Sequence, residues 1–186
     1  LLVADVEGGE VTPIERLAEI VNLGEGVDST GVLREDAMER TIAQVKRFKR
    51  IAWQPSDGGP AAEVLVAVAT SASRDAANAS EFVSRLASEG IRLSVIPGQK
   101  EAELSFSGAA DGYAGRPVAV VDIGGGSTEV IAGVSRPASQ GGVEIFDRHS
   151  FDVGCRRMTE RFLESDPPSQ GELDAARQWA AREMAG

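Results

Sequence analysis

The sequence predicts an α/β protein, and three kinds of segment support this prediction. Short apolar runs at residues 64–69 and 118–121 have the composition and length of buried strands. Residues 34–54 instead place apolar side chains every three or four positions, which is the period of an amphipathic helix. A glycine-rich turn at residues 124–126 separates one apolar run from the next. Strands and helices that alternate along one chain are typical of α/β folds.

The composition is that of a globular protein, and the net charge excludes two kinds of partner. The 186 residues are 42% hydrophobic and 26% charged, and no apolar run approaches the about 20 residues of a membrane helix. The formal charge of −10 argues against nonspecific binding to nucleic acid or to a membrane surface. We therefore expect no nucleic-acid partner and no membrane partner.

Cysteine and histidine are almost absent, which limits the chemistry that the chain can perform. The single cysteine, Cys155, cannot form an internal disulfide and fits a reducing compartment, so we expect a cytoplasmic location. With His149 as the single histidine, neither the usual zinc sites nor a Ser-His-Asp triad has enough ligands or bases. Any catalysis should therefore use carboxylates, a metal ion and backbone groups.

The chain opens with two predicted strands and a helix. Residues 1–6 and 11–23 are predicted to pair around a turn at residues 7–10. The helix over residues 34–54 carries one apolar face, formed by Met38, Ile42, Val45, Phe48 and Ala52. Four basic residues near its end suit the helix dipole, and the alternative is a polyanion-binding face. They are Lys46, Arg47, Lys49 and Arg50.

A strand–helix–strand–helix order follows. The apolar run at residues 64–69 is predicted to be covered on both faces, and it ends in small hydroxyls and Arg74 at an edge where α/β sheets gather ligands. Asn78 and Glu81 resemble a capping box that opens a helix to about Glu89. A strand over residues 91–96 and a helix over 99–110 come next, and the apolar stripe of that helix is Ala102, Phe106 and Ala109.

The stretch around residues 118–131 contains the clearest candidate site. A predicted strand ends in Asp122, a glycine turn follows, and Glu129 begins the next strand. Backbone N–H groups of a glycine turn form a concave anion site, and neighbouring hydroxyls add donors. The candidate phosphate-binding residues are Gly124, Gly125, Gly126, Ser127 and Thr128. Because Asp122 and Glu129 would repel a bare phosphate, this interpretation requires a divalent cation such as Mg²⁺, and the alternative is a hairpin with two solvated acids.

The remaining segments predict a second structural unit. Strands over residues 128–134 and 143–151 enclose a polar loop at 136–142, and a short helix over 156–164 precedes a last helix. Ser169 and Glu172 are predicted to cap that last helix. The order of elements repeats the start of the first unit, so we predict one unit over residues 1–116 and the beginning of a second over 117–186. Both chain ends look cut.

Several stretches resemble one family of phosphatases. Residues 122–129, Asp-Ile-Gly-Gly-Gly-Ser-Thr-Glu, resemble the signature of the exopolyphosphatase / guanosine pentaphosphate phosphohydrolase family. Residues 23–27, 69–78, 96–102 and 153–161 resemble further family stretches, in family order. The resemblance implies a ribonuclease-H-like, actin-like ATPase fold in two lobes, of which the first lacks its first strand here and the second is only begun.

The resemblance also implies an activity and roles for residues. It implies Mg²⁺-dependent release of terminal phosphate from inorganic polyphosphate, or of the 5′ γ-phosphate from guanosine pentaphosphate. Glu101 falls on the catalytic glutamate, the second of a Glu-Glu pair whose first member is Lys100 here. Asp122 and Glu129 fall on acidic positions at the metal and the attacking water, and Arg74 falls on a phosphate-contacting arginine. Without the resemblance, Glu101 and Arg74 would be interpreted as surface residues near helix starts.

Other interpretations remain open at the level of sequence. The family's first phosphate loop, Asp-x-Gly-Ser-Asn, has no counterpart in this sequence, so a noncatalytic lobe that binds polyphosphate or nucleotide is one alternative. A sugar kinase or chaperone-like ATPase on the same architecture is a weaker one. A homodimer is one assembly that the sequence leaves open.

Overall fold

The computed structural model describes residues 1–54, 59, 61–136 and 142–185. In the first part of the chain the elements are β1 (Leu2–Glu7), β2 (Glu10–Arg16), α1 (Val27–Thr30), α2 (Glu35–Trp53), β3 (Ala67–Ala69), α3 (Ser71–Asp75), α4 (Ala79–Ser88), β4 (Leu93–Val95) and α5 (Gly98–Ala109). After a 3₁₀ turn at Asp111–Tyr113 come β5 (Pro117–Ile123), β6 (Thr128–Ser135), β7 (Val143–Phe151), α6 (Cys155–Phe162) and α7 (Gln170–Glu183).

The strands of the described residues form three separate sheets. β1 and β2 are an antiparallel pair, while β3 and β4 are parallel and are connected through α3 and α4. The third sheet is antiparallel with the order β5–β6–β7. The glycine turn connects β5 to β6, so Asp122 at the end of one strand pairs directly with Glu129 near the start of the other.

Two hydrophobic cores lie among the described residues. The first contains Met38 of α2, Phe82 and Leu86 of α4, and Ile91 just before β4. In the second, α5 packs on the β5–β6–β7 sheet. Its members are Ala102, Phe106, Ala110 and Ile131, with Val118, Val120, Val143 and Ile145 against them. Because Phe106 is fully buried, its replacement by alanine should cost about 3–5 kcal/mol. This packing fixes the rotation of α5 and therefore the direction of Glu101.

Burial differs from the prediction in two strands. Val64 and Val66 are 77% and 82% exposed, and β3 spans only Ala67–Ala69, so the prediction of a strand covered on both faces over residues 64–69 is wrong. Among the described residues β3 pairs only with β4. Residues 118–121 alternate between half-buried and exposed, because α5 covers one face of β5.

Local signals misled the prediction at several helix ends. The Asn78 side chain does not cap α4. Its Oδ1 instead accepts a hydrogen bond from the Leu33 N–H at 2.7 Å, and its Nδ2 donates to the Leu33 carbonyl at 2.9 Å. A long-range partner therefore replaced the capping box. Ala110 is buried where Ala109 was expected. The short helices α1 and α3 lie in segments without helical periodicity, and the strand expected to reach residue 23 ends at Arg16.

Other predictions agree with the structure. The helices α2, α4, α5, α6 and α7 lie within a few residues of their predicted bounds, and β7 has the predicted bounds. Ser169 and Glu172 form the predicted capping box, and Lys46 pairs with Glu89 at 2.8 Å as a surface residue would. The loops predicted at 55–60 and 136–142 lie almost wholly outside the described residues. The boundary between residues 116 and 117 stays a prediction.

None of the helices in the described part of the chain combines the length and the apolar character that a membrane span requires.

Candidate active site

The glycine turn is held by the start of α6. The N–H of Cys155 donates to the Gly124 carbonyl at 3.0 Å, and the N–H groups of Arg156 and Arg157 donate to the Gly125 carbonyl at 2.9 and 3.1 Å. In a trans peptide the N–H points opposite to the preceding carbonyl. The N–H groups of Gly125 and Gly126 therefore point away from α6.

Those N–H groups are free to bind a ligand. Within the described residues no acceptor is found for the N–H of Gly125, Gly126 or Ser127, whereas Gly124 donates to the Ser127 carbonyl at 2.9 Å. Consecutive unpaired N–H groups form a concave site for an anion. The predicted phosphate-binding residues thus supply three backbone donors.

Close packing leaves little room for a side chain at Gly126 of the turn and at Gly154 before α6. A methyl group on Gly154 would overlap the backbone of Gly125 and Gly126, and one on Gly126 would lie 3.0 Å from the Ser71 hydroxyl oxygen. The turn is therefore clamped between the start of α6 and the start of α3.

Arg74 and Glu101 meet although they are 27 residues apart in sequence. One guanidinium nitrogen of Arg74 lies 2.6 Å from the Glu101 carboxylate and also donates to the Ile96 carbonyl at 3.0 Å. Both side chains are partly buried, with 24% and 17% of their surface exposed. The structure thus brings the predicted catalytic glutamate and the predicted phosphate-contacting arginine together.

Asp122 and Glu129 form a second acidic pair. They are direct cross-strand partners, which places their side chains on the same face of the sheet. Asp122 accepts a hydrogen bond from the Ser105 hydroxyl, and Glu129 accepts one from the Ser150 hydroxyl at 2.9 Å. In the described structure no arginine or lysine pairs with either acid. Glu129 is only 2% exposed, and a carboxylate buried without a cationic partner is costly.

The two acids fit Mg²⁺, although they are too few for an all-protein cage. No group of three or more acidic, histidine or cysteine side chains comes together in the part of the chain that is described. Mg²⁺ does not need such a group, since it is usually held by one or two carboxylates, waters and substrate phosphates. Two adjacent carboxylates without a protein cation are the donor set that this mode requires.

The candidate residues lie along α5 and the β5–β6 hairpin. Ser105 lies one helical turn after Glu101 on α5 and bonds Asp122, which in turn pairs with Glu129. Arg74 of α3 bonds Glu101. A cavity of about 1200 Å³ is lined by Thr70, Ser71, Gly125 and Gly126 among others, but not by Arg74 or the three acids. The glycine turn therefore borders this cavity, while Arg74 and the three acids lie outside its lining.

Thr128 differs from the other candidates. Its hydroxyl is buried and donates to the Val153 carbonyl at 2.5 Å, so that proton is not available to a phosphate. Ser127 is also buried, and its hydroxyl finds no partner among the described residues. The predicted contact of Thr128 with phosphate stays a prediction that requires this bond to break.

Sequence reasoning missed several residues of the site. Ser105 and Ser150 bond the two acids, and Arg157 donates from its side chain to the Gly126 carbonyl at 2.9 Å. The spacing of four residues between Glu101 and Ser105 was a usable signal, because it places both on one face of α5. Arg157 lies within the family-like stretch 153–161, but that resemblance assigned it no role, and it reaches the turn from another element.

A family profile matches nearly the whole sequence. The profile of the Ppx/GppA phosphatase family matches residues 2–186. The chain belongs to the Ppx/GppA phosphatase family. The resemblance seen in the glycine turn and its flanking motifs is thereby confirmed.

Relatives and solved structures agree with this membership. The chain is 40% identical over 189 residues to exopolyphosphatase 2 of Mycobacterium tuberculosis, covering 95% of this chain and 55% of that protein. A crystal structure of an exopolyphosphatase-like protein has a TM-score of 0.82 at 34% identity and covers 98% of this chain and 55% of that one. The PPX-GPPA enzyme of Aquifex aeolicus has a TM-score of 0.70 at 31% identity, with 99% and 58% covered.

These likenesses confirm the predicted α/β fold of the ribonuclease-H-like, actin-like ATPase class. The chain spans about half the length of the relatives that it matches.

Proposed function

We propose that this protein is an exopolyphosphatase that releases terminal orthophosphate from inorganic polyphosphate in the presence of Mg²⁺. The observation that carries the proposal is the contact between Arg74 and Glu101, at 2.6 Å, one helical turn before Ser105, which bonds Asp122 beside Glu129. Membership of the Ppx/GppA phosphatase family and the names of the relatives support the choice of a phosphatase reaction.

The glycine turn would hold the terminal phosphate. The N–H groups of Gly125, Gly126 and Ser127 would donate to its oxygens, in the way that backbone donors bind anions elsewhere. This local donor set explains how a chain with a net charge of −10 can bind a polyanion. Gly124 would contribute by shaping the turn rather than by donating, since its N–H is already bonded to Ser127.

Glu101 would act on the attacking water. In the reaction the water oxygen forms a bond to the terminal phosphorus, the bridging P–O bond breaks, and the shortened polyphosphate leaves with the electron pair. Glu101 would accept the proton of the water. Arg74 would exchange its bond to Glu101 for bonds to phosphate oxygens when substrate enters, because its planar guanidinium can donate to two oxygens at once. That exchange frees the carboxylate at the moment when the water must be deprotonated.

Asp122 and Glu129 would hold Mg²⁺, with the remaining positions filled by water and phosphate oxygens. The bound cation would neutralise charge that develops on the transferring phosphoryl group. Ser105 and Ser150 would orient the two carboxylates through the hydrogen bonds that they already make.

The proposal is tested by phosphate release from long-chain polyphosphate, measured with the full-length protein at several Mg²⁺ concentrations. We expect Mg²⁺-dependent release of orthophosphate, and a parallel assay with guanosine pentaphosphate compares the second substrate of the family resemblance. Faster turnover of the nucleotide would reassign the substrate. Tight polyphosphate binding without any turnover would instead indicate a sensor and overturn the proposal. The cytoplasmic location and the homodimer stay predictions.

A further inference from the structure

The stretch around Asp28 makes contacts that the proposed reaction does not use. Asp28 lies in α1, and its side chain is only 14% exposed. It accepts hydrogen bonds from Arg157 at 2.5 Å and from Arg161 at 2.5 and 2.8 Å, across at least 129 residues of sequence. α6 is therefore tied to α1 through one carboxylate.

Arg157 connects Asp28 to the glycine turn. Its Nε donates to the Gly126 carbonyl at 2.9 Å while its Nη1 donates to Asp28. Since only 14% of its side chain is exposed, water cannot easily replace either contact. One guanidinium thus bridges a carboxylate of α1 and a carbonyl of the turn.

Because the peptide bond is planar, the contact of Arg157 with the Gly126 carbonyl also orients the Ser127 N–H. The Gly126 carbonyl and the Ser127 N–H belong to one trans peptide unit and point in opposite directions. Because Arg157 holds the carbonyl, the Ser127 N–H must point away from α6, on the side to which the N–H groups of Gly125 and Gly126 point. This contact therefore helps to fix the direction of the third donor.

Asp28 determines where the Arg157 guanidinium lies. Two further acids, Asp75 and Asp152, lie 3.6 and 3.9 Å from Nη2 of Arg157 and are more exposed. If Asp28 were neutral, the guanidinium could turn toward these acids and leave the Gly126 carbonyl. Hydrogen bonding from Arg161 and the charge of Arg157 hold the pKa of the Asp28 carboxyl below its ordinary value, against the opposing effect of burial.

Other contacts also connect α6 with neighbouring segments. Arg161 lies over the Trp179 ring of α7 at 5.0 Å from its centroid. The N–H of Gly26, two residues before Asp28, donates to Glu160 at 3.0 Å. Asp28 is therefore part of a set of contacts that connects the first part of the chain with α6.

We infer that Asp28 is a positioning residue for phosphate binding: through Arg157 it orients the Gly126–Ser127 peptide so that the Ser127 N–H faces the ligand. This inference rests on the proposed function, in that the ligand is the terminal phosphate of a polyphosphate.

The test compares Asp28→Asn with a matched control in the full-length protein. Asp36 is also bound by two arginines, Arg34 at 3.0 Å and Arg40 at 2.6 Å, but its contacts lie around α2 and none of them touches the turn. We expect Asp28→Asn to weaken binding of inorganic tripolyphosphate about tenfold, as for the loss of one hydrogen bond to a charged group, and Asp36→Asn to leave it unchanged. The amide resonance of Ser127 should shift in Asp28→Asn only.

Kinetics separate positioning from a general loss of structure. We expect Asp28→Asn to raise KM for polyphosphate by the same factor while kcat stays close to the wild-type value, because the turn holds the phosphate before and during reaction. A variant that melts earlier but binds tripolyphosphate as wild type does would overturn the inference. Should Asp28→Asn not fold, Arg157→Lys decides, since lysine keeps the charge but lacks the Nε donor; wild-type affinity there would also overturn it.

The two proposals fail in different ways. Wild-type protein that binds tripolyphosphate but releases no phosphate removes the proposed function, and the role of Asp28 is still decided by affinity. Wild-type turnover with equal affinity in Asp28→Asn and Asp36→Asn removes the role of Asp28 alone. A wild-type protein that neither binds nor hydrolyses removes both.

Discussion

Arg74 donates to the Glu101 carboxylate at 2.6 Å, so the base proposed for catalysis is paired with a cation before any substrate is present. The pair joins α3, which follows the carboxyl end of β3, to the first turn of α5. Ligands of open α/β sheets bind at that edge. An incoming phosphate competes for the arginine, and this competition links substrate binding to release of the carboxylate.

We expect Glu101→Gln to lower kcat by about 10²–10⁴-fold, the usual contribution of a general base. Affinity for tripolyphosphate should not fall, since glutamine leaves Arg74 free to bind phosphate. Glu103→Gln is the matched control: Glu103 lies on the same helix and pairs with Lys100 at 3.2 Å. Phosphate release measured under saturating substrate checks both variants. Undiminished turnover in Glu101→Gln would remove Glu101 from the base role.

Glu129 should respond to Mg²⁺ through stability as well as activity. Its carboxylate is buried with one hydroxyl partner, so Glu129→Gln should melt no earlier than wild type in EDTA. Added Mg²⁺ should raise the thermal unfolding midpoint of wild type, because the ion binds the folded state only. It should raise the midpoint of Glu129→Gln much less.

Thermal melts with and without Mg²⁺ measure this difference. Glu144→Gln, an exposed acid that pairs with Arg136 at 2.6 Å, is the control and should behave as wild type. Equal stabilisation of Glu129→Gln and wild type would separate Glu129 from the cation.

Gly154→Ala should destabilise the fold and disrupt the turn, because the added methyl would overlap the backbone of Gly125 and Gly126. Overpacking of this kind costs about 1–3 kcal/mol, and here backbone rather than a side chain must move. Urea unfolding gives the cost. The same substitution at Gly171, where no atom lies within 4 Å, should be neutral or stabilising by up to about 1 kcal/mol. Equal urea unfolding midpoints for Gly154→Ala and Gly171→Ala would contradict the packing argument.

Glu172 should make the stability of α7 depend on pH. Hydrogen bonds from Ser165 and Ser169 hold the pKa of its carboxyl well below the ordinary value of 4.5. A lowered pKa means that the stabilisation is complete above 4.5 and is lost as the pH falls below it toward the lowered pKa.

The difference in thermal midpoint between wild type and Glu172→Ala should therefore be largest near neutral pH and shrink in acid. Asp174→Ala, another acid of the same helix, controls for the general loss of a negative charge. A difference that is constant over the whole range would show that the charge of Glu172 contributes nothing.

Much of the site was predictable because its signals are local. A strand that ends in an acid, three glycines, two hydroxyls and a second acid carry their meaning in consecutive residues. Hairpin geometry then places Asp122 opposite Glu129 without further information. The capping box of Ser169 and Glu172 formed for the same reason, since both partners lie within one helical turn.

Tertiary packing decided the rest. Asn78 carries a capping signal, yet its side chain bonds Leu33, because a partner 45 residues away offers both a donor and an acceptor. The bridge from Asp28 through Arg157 to Gly126 spans more than a hundred residues and leaves no periodic trace. Residue types and short spacings specify which groups are available for chemistry. Which of them meet depends on how the helices pack on the sheets. The free energy of that packing comes from the whole core and not from any short segment.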